Sequence, residues 1–467
     1  MKTESLLSVI LIGQAVTGVT QLCYSQTKSP NIVFILTDDM GWKDLACYGN
    51  RFTETPNIDS LAKSGLRFTQ AYAACPVSSP TRASIMTGKY PARLHLTNFI
   101  AGNRTDKASP VLPAPWKPYL EAREITIAEL LKEKGYTTGL VGKWHLGGHD
   151  SIAPWNQGFD FTRMIGKNGL DYYNYSIFLD SYKNEFIDKG TEYLTDKLTD
   201  YGVEFIERSK EKPFFLYLAY SAPHVVIVPR PDKLMKYFRK YNDADEKFNP
   251  YYSAMVESID DGVGRIIEKL KEVAVLENTL IIFTSDNGGL GLDELGPTPT
   301  SMLPLRKWKG HVYEGGIRVP AIFSWTGKIR PGSVSDEYFS SIDYLPTLCN
   351  IAGINVLPGN VDGINILPLL TTSGKTGEER PIFWHYPHFS NQLGRPAGAV
   401  RVGDYKLVES YETGKVELYD LGNDISESTD LSQRLIQKTQ ELLNLLTAWR
   451  KNVRAQMPVP NPEYIKK

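Results

Sequence analysis

Four continuous apolar segments, far apart in the chain, each end in a cluster of polar or ionisable residues. Short apolar runs of this kind are typical of strands that are covered on both faces of a parallel sheet. Ligands of open α/β sheets bind outside the carboxyl ends of the strands, so these clusters are predicted to converge on one site although about 250 residues separate the first from the last. The segments are 31–37 before Asp38 and Asp39, 137–141 before Lys143 and His145, 213–220 before His224, and 279–284 before Asp286 and Asn287.

Helical segments alternate with these strands. Apolar residues recur along one face of residues 251–273, and the shorter segments 57–64 and 126–134 show the same spacing. A chain of 467 residues, of which 42% are hydrophobic, can bury a large core. The sequence therefore predicts an α/β fold with a mixed, largely parallel sheet sandwiched by helices.

The character of the sequence changes after residue 372. Residues 371–380 are polar and contain glycine, which indicates a linker, and segments at 380–386, 398–402, 405–410 and 416–421 predict strands joined by tight turns. We therefore expect a large domain at 27–372 and a smaller C-terminal antiparallel sheet plus helix at 373–467. The final helix is expected to carry on one face Leu431, Leu435, Leu442, Leu446 and Trp449.

The first 26 residues predict a cleaved signal peptide. Lys2 precedes an apolar run at 6–19 that is too short to span a bilayer. A buried N-terminal helix and a lipid anchor on Cys23 are the alternatives, and Leu22 argues against the anchor because a small residue is usually found there. No other apolar stretch approaches about 18 residues, so we expect no membrane span. The signal peptide predicts an exported protein, periplasmic or extracellular.

Composition argues against several classes of partner. The 52 Lys and Arg residues against 53 Asp and Glu give a formal net charge of -1, whereas nucleic-acid binders usually carry a basic excess. Cys47, Cys75 and Cys349 remain after removal of the signal, which is too sparse for a disulfide framework. We therefore expect no nucleic-acid partner and no cysteine-based zinc site.

The most specific motif begins at Ser78. Pro80 and Arg82 follow it at alternate positions, and a Thr-Gly pair stands at 87–88. This pattern resembles the signature of the type I sulfatases, in which a Cys or Ser, any residue, Pro, any residue and Arg precede Thr-Gly. In that family the Cys or Ser is oxidised to formylglycine, the aldehyde that performs the chemistry.

Cys75 lies close enough to be mistaken for the residue that is oxidised. In its register the Pro and Arg positions would hold Val77 and Ser79, so only Ser78 fits. An ordinary helix start rich in Ser and Pro is the alternative interpretation. A helix that opens here would place residue 78 near its N-terminus, where backbone amides and the helix dipole stabilise an anion.

The resemblance to type I sulfatases covers almost the whole mature chain. It begins with PNIVFILTDDMGWKDLACYG and continues through ESIDDGVGRIIEKL to ELYDLGNDISESTDL. It implies an alkaline-phosphatase-like fold and hydrolysis of sulfate esters. Because the residue to be oxidised is Ser78 and not a cysteine, it also implies a maturing enzyme of the iron–sulfur radical type as a partner.

Asp38, Asp39, Asp286 and Asn287 offer only oxygen ligands, which suit Ca²⁺ or Mg²⁺ rather than zinc. By resemblance these four residues, together with Ser78, bind one divalent cation, usually calcium. Relatives in the alkaline-phosphatase superfamily that bind two zinc ions commonly have His at the position of Asn287, so the asparagine favours a single hard cation. Taken alone, the Asp38-Asp39 pair is also typical of a turn or a helix cap, and the Asp286-Asn287 pair of a loop.

The resemblance also implies roles for five basic side chains. Arg82 would hold the oxygens of the hydrated aldehyde, and Lys143 and Lys309 would clamp the sulfate group. His224 would protonate the departing oxygen of the ester. His145 would act as the base that later takes a proton so that sulfate leaves.

Further residues are candidates for substrate selection, because sugar sites often combine aromatic platforms with charged hydrogen-bonding groups. Surface exposure or core packing is the alternative for each of them. They are His311, Asp171, Tyr172, Tyr173, His385 and His388.

Three functions fit these residues. The favoured one is hydrolysis of O-sulfate esters on the sugars of sulfated glycans. A phosphonate monoester or phosphodiester hydrolase that uses the same formylglycine is one alternative, and a non-catalytic glycan-binding relative is the other. The complete set of catalytic residues argues against the last.

Overall fold

The computed structural model describes residues 29–464 apart from 167–170, 244–247, 293–297 and 372–378. The predicted signal peptide at 1–26 lies outside the described residues, as does most of the predicted linker at 371–380. Across the described ranges, none of the helices combines the length and the apolar character that a membrane crossing requires.

The described residues form a ten-stranded sheet, a four-stranded sheet and a two-stranded ribbon. The strands are β1 (Asn31–Thr37), β2 (Leu66–Tyr72), β3 (Val111–Leu112), β4 (Thr137–Gly142), β5 (Phe161–Ile165), β6 (Asn174–Leu179), β7 (Glu185–Lys189), β8 (Phe214–Ala219), β9 (Thr279–Ser285), β10 (Arg318–Ser324), β11 (Ser333–Ser340), β12 (Ile382–Tyr386), β13 (Ala397–Val402), β14 (Tyr405–Ser410), β15 (Val416–Asp420) and β16 (Val459–Pro460).

The large sheet has the order β11-β2-β10-β9-β1-β8-β4-β5-β6-β7. Its centre, from β9 through β1, β8 and β4 to β5, is parallel. Antiparallel pairs flank this centre, with β10 on one side and β6 and β7 on the other. The prediction of a mixed, largely parallel sheet is therefore confirmed.

Helices cover both faces of the large sheet. On β1, Ile32, Phe34 and Leu36 pack into one core, whereas Val33 and Ile35 pack into the other. Alternate residues of a strand point to opposite faces, so a continuous apolar run is what a strand between two helical layers requires. The helices are α1 (Pro56–Lys63), α2 (Ser78–Thr87), α3 (Pro91–Leu94), α4 (Ile127–Glu133), α5 (Leu194–Ser209), α6 (Pro231–Asp243), α7 (Pro250–Glu272), α8 (Glu314–Ile317), α9 (Tyr344–Ile351), α10 (Leu367–Thr371) and α11 (Ile436–Val453).

The C-terminal unit is an antiparallel sheet, β12-β13-β14-β15, against which α11 packs. The expectation of a small sheet plus a helix is confirmed, but the start of the helix was placed too early. Leu431 and Leu435 precede α11 because the Leu431 amide donates to the carbonyl of Leu418 on β15 and closes a loop there. The boundary between 372 and 373 falls on residues outside the described ranges and stays a prediction.

The carboxyl end of β4 depends on a glycine. Gly142 has a φ of 109°, which L side chains rarely adopt. A Cβ at this position would lie 1.9 Å from the carbonyl oxygen of Ala219. The same carbonyl accepts the amide of Lys143 at 2.9 Å. Gly142 therefore fixes the point at which the chain carrying Lys143 leaves the sheet.

We predict that Gly142→Ala lowers the free energy of unfolding by about 2 kcal/mol more than Gly135→Ala does, because it adds a backbone collision to the strained φ. Gly135 is a matched control, since its φ is 89° and a Cβ there meets no atom within 4 Å. Urea unfolding of both variants measures the difference. Equal losses would contradict the close approach of β4 to β8.

Candidate active site

Four neighbouring strands deliver the polar clusters to one edge of the large sheet. β9, β1, β8 and β4 lie side by side and run parallel, so their carboxyl ends meet. The segments that follow them carry the residues for which convergence was predicted. The structure brings these residues together with Ser78 and Arg82 of α2 and with Lys309.

Three buried carboxylates form the centre of the cluster. Asp38, Asp39 and Asp286 are all fully buried. The Asp39 amide donates to Asp286 Oδ1 at 3.2 Å, and Asn287 Nδ2 donates to Asp39 Oδ1 at 2.7 Å. Carboxylates without solvent require positive partners close by.

Three cationic side chains compensate these carboxylates. Arg82 Nε donates to Asp286 Oδ2 at 2.8 Å, and Lys309 Nζ donates to Asp39 Oδ2 at 2.7 Å. Lys143 Nζ donates to Asp38 Oδ2. Each carboxylate therefore has its own cation, although the three contacts come from separate parts of the chain.

The charges shift the pKa values of the carboxyl groups in opposite directions. Burial alone would raise the pKa of Asp38, but Lys143, His224 and Arg82 hold it well below its usual range. Burial and the neighbouring Asp38 raise the pKa of Asp286 to about 7 against the effect of Arg82. The negative charges thus remain crowded even with three cations beside them.

Ser78 is the first residue of α2 and reaches into this cluster. Its hydroxyl lies 3.0 Å from Asp38 Oδ1 and 3.2 Å from Asn287 Oδ1. The Cys75 thiol instead lies against the carbonyl of Thr97, 4.0 Å from its Sγ. Burial raises the pKa of this thiol. The structure thus places Ser78, and not Cys75, beside the carboxylates.

Two histidines border the cluster. His224 Nε2 lies 3.5 Å from Asp39 Oδ2, and its Nδ1 lies 2.5 Å from the carbonyl of Val225. His145 Nε2 lies 3.4 Å from the carbonyl of Ile100, and its buried Nδ1 has no hydrogen-bond partner among the described residues. Burial, with Lys143 and Arg82, lowers the pKa of His145 well below its usual value, so its ring is neutral.

The donor set fits a divalent cation. Ligand atoms of Asp38, Asp39 and His224 lie within 4.8 Å of one another. The remaining nearby donors are the oxygens of Asp286, Asn287 and Ser78. Because oxygens dominate this set, its chemistry suits Ca²⁺ or Mg²⁺ better than a thiophilic metal.

The candidate substrate residues are dispersed, and some are buried. Tyr172 is fully buried, and its hydroxyl donates to the His224 carbonyl at 3.0 Å. His385 is buried with both ring nitrogens engaged, by Tyr411 and by the carbonyl of Gln456.

The other candidates lie in three places. His388 is buried, and its Nε2 lies 2.8 Å from Thr97 Oγ1. Asp171 is exposed and accepts a hydrogen bond from the amide of Tyr173 at 2.9 Å. His311 lines a cavity of about 280 Å³ between the Lys309 segment and the C-terminal sheet.

Two supporting residues escaped the sequence analysis. The Tyr252 hydroxyl of α7 donates to the Asp39 carbonyl at 3.0 Å, and Ser285 Oγ accepts the Met40 amide at 3.0 Å. Ser285 directly precedes Asp286, and this adjacency was a signal that the sequence offered. Tyr252 belongs to the apolar face of a helix, and nothing in the sequence pointed to its contact with Asp39.

Comparisons with known proteins identify the family of this chain. The sulfatase family profile matches residues 30–354, and a profile described as N-sulphoglucosamine sulphohydrolase, C-terminal, matches residues 307–455. A sulfatase of Formosa agariphila is 33% identical over 94% of this chain and 93% of its own length.

Two further relatives are named for sugars. The N-acetylgalactosamine-6-sulfatase of Canis lupus familiaris is 34% identical over 81% of this chain and 71% of its own. The solved structure of Ps i-CgsB in complex with k-i-k-neocarrahexaose is 28% identical, with a TM-score of 0.78 over 94% of this chain and 95% of that one. Because the sulfatase profile spans most of the chain and these relatives are matched over most of their length, the chain belongs to the sulfatase family.

Proposed function

We propose that this sulfuric ester hydrolase removes O-sulfate from the sugars of sulfated glycans. The observation that carries the proposal is the contact of Ser78, at the start of α2, with Asp38 and Asn287. A helix N-terminus stabilises negative charge, and the adjacent cations add to this effect. With a divalent cation offsetting the three carboxylates, the helix N-terminus and the neighbouring cations would favour a sulfate group beside Ser78.

Ser78 is proposed to act after oxidation to formylglycine by an iron–sulfur radical-type maturing enzyme. The hydrated aldehyde supplies an oxygen nucleophile for attack on sulfur. Arg82 orients the surrounding carboxylates through its contacts with Asp286 and Asp38.

The cation is proposed to be Ca²⁺, with Mg²⁺ as the alternative, held by Asp38, Asp39, Asp286 and Asn287 together with residue 78. Such an ion polarises a bound sulfate and offsets its negative charge. The crowding of three buried carboxylates supports this assignment, because an added divalent charge relieves their repulsion.

Lys143 and Lys309 are proposed to hold the sulfate oxygens. Their ammonium groups contact Asp38 and Asp39 from separate segments, so they border the same space beside Ser78. Both side chains are largely buried, which strengthens their attraction for an anion that enters.

His224 is proposed as the acid for the departing oxygen and His145 as the base that completes the cycle. The Val225 carbonyl accepts a hydrogen bond from His224 Nδ1, and Tyr172 holds the His224 backbone, so Nε2 is left toward the carboxylates. Nε2 can give a proton only when the ring is cationic; burial lowers the pKa of His224, whereas Asp39 and an entering sulfate favour the cation. His145 is neutral and its Nδ1 lacks a partner among the described residues, as a base requires.

The assignment to carbohydrate rests on the relatives. The names of the canine enzyme and of the neocarrahexaose complex refer to sugars. Export directed by the predicted signal peptide at 1–26, to the periplasm or beyond, would bring the enzyme to such glycans.

We predict that the peptide containing residue 78, isolated from the native host, is two hydrogens lighter than the serine form. Mass spectrometry detects this aldehyde directly. Ser78→Ala should lower kcat/KM for a sulfate ester by roughly 10³-fold or more, because it removes the nucleophile.

Ser79→Ala is the matched control, since Ser79 is equally buried but its hydroxyl accepts the amide of Ile100 at 3.0 Å. It should keep the activity. An unmodified serine in active protein, or undiminished hydrolysis by Ser78→Ala, would refute the proposed nucleophile.

We predict that sulfated monosaccharides are turned over with a kcat/KM about 100-fold above that of an aryl phosphonate, because the site is matched to a sulfate on a sugar. An aryl sulfate is the third substrate in the comparison and separates preference for the sugar from preference for the sulfate. Phosphonate turnover equal to or better than sulfate turnover would favour the phosphonate hydrolase instead.

A further inference from the structure

The segment that carries Lys309 is a loop whose ends are joined. It runs from Arg306 to Gly315, and the Gly315 amide donates to the Arg306 carbonyl at 2.9 Å. At its tip the Lys309 amide donates to the Gly289 carbonyl at 3.0 Å, and Gly310 donates to the carbonyl of residue 76 at 2.8 Å. The tip is thus bonded to the loops that precede Ser78 and follow Asn287.

A buried charge cluster of the C-terminal unit holds the far end of this loop. Lys406 on β14 is fully buried, and its Nζ donates to Glu314 Oε1 at 2.8 Å and lies 2.9 Å from Glu427 Oε1. Glu427 Oε2 accepts the Glu314 amide at 2.8 Å. Burial acts to raise the pKa of Glu314, but Lys406 and Arg318 are among the cations that lower it to about 2, so this carboxylate is charged. Burial and the neighbouring Glu314 raise the pKa of Glu427 to about 7 against the effect of Lys406.

Glu427 also contacts the near end of the loop, at Arg306. The Glu427 carbonyl accepts Arg306 Nη1 at 3.1 Å, and the Tyr419 hydroxyl accepts the same atom at 2.6 Å. One residue of the C-terminal unit therefore contacts both Arg306 and Glu314, the two positions that flank Lys309. Charge-assisted hydrogen bonds in a dry interior are strong and directional, so they restrict where the loop lies.

We propose that Glu427 and Lys406 are positioning residues for Lys309. They fix both ends of the loop at 306–315, and the rigid loop then presents the Lys309 ammonium to Asp39 and to the bound sulfate. The proposal rests on the sulfate-binding role proposed for Lys309. It gives the C-terminal unit a part in catalysis. In the described structure its residues Glu427 and Lys406 show no contact with Ser78 or with the active-site carboxylates Asp38, Asp39 and Asp286.

Glu427→Gln is the most informative variant. It keeps the shape of the side chain and leaves Lys406 paired with Glu314, so the protein should fold. It removes the ion pair of residue 427 with Lys406 and replaces the carboxylate that accepts the Glu314 amide by a weaker, neutral amide acceptor, which loosens the far end of the loop. Glu409→Gln is the matched control, because Glu409 lies on the same strand as Lys406 but pairs with Arg450, at 2.8 Å. Lys406→Met is the stronger test and leaves two buried carboxylates without their ammonium.

The first readout is hydrogen exchange of the peptide spanning 306–315, which does not depend on activity. We predict that Glu427→Gln accelerates exchange in this peptide by about tenfold or more, whereas Glu409→Gln leaves it unchanged. Equal acceleration across the whole protein, or none in this peptide, would overturn the proposal.

The second readout is kcat/KM on a sulfated monosaccharide in a double-mutant cycle with Lys309→Ala. Glu427→Gln should lower kcat/KM by about tenfold in the wild-type background and by less than about twofold when Lys309 is already absent. Independent, additive losses would show a general structural role instead. If the wild-type protein hydrolyses no sulfate ester, the proposed function fails, while the exchange experiment still decides whether the loop is held in this way.

Discussion

Mutual compensation between three buried carboxylates and three cations is the interaction on which the rest of the structure depends. Asp38, Asp39 and Asp286 are fully buried, and an isolated ionised group in such a place is strongly unfavourable. Their partners come from α2, from the segment after β4 and from the loop before α8. The cluster thus couples the strand order of the sheet, the start of α2 and the Lys309 loop, and it brings all of them to Ser78.

The C-terminal unit belongs to this arrangement and is more than a cover for the large sheet. Lys406 and Glu427 lie in its interior and bind the two ends of the Lys309 loop. Gln392, also in this part of the chain, exchanges two hydrogen bonds with the backbone of Leu292, a few residues after Asn287. Two of the loops that build the site are therefore held from the C-terminal side.

The features that the sequence predicted are those with a strong local pattern. Continuous apolar runs identified β1, β4, β8 and β9, and the polar residues after each run identified their common edge. The short strands β5 to β7, where the pairing changes from parallel to antiparallel, carry weaker patterns, and their pairing depends on distant neighbours. In the sequence, Lys406 and Glu314 look like ordinary surface charges. Only the folded interface shows that they are buried together. His385 and His388 lie in a segment rich in aromatic and basic residues, which suggested a sugar-binding role. Both histidines are enclosed by packing that the sequence alone could not reveal.

The carboxylates after β1 and β9 are proposed to form a divalent-cation site beside residue 78. An anomalous difference map from crystals of the matured protein grown with Ca²⁺ would test this site. We predict one strong peak coordinated by the oxygens of Asp38, Asp39, Asp286 and Asn287. A map in which these side chains are ordered and no peak lies among them would contradict it.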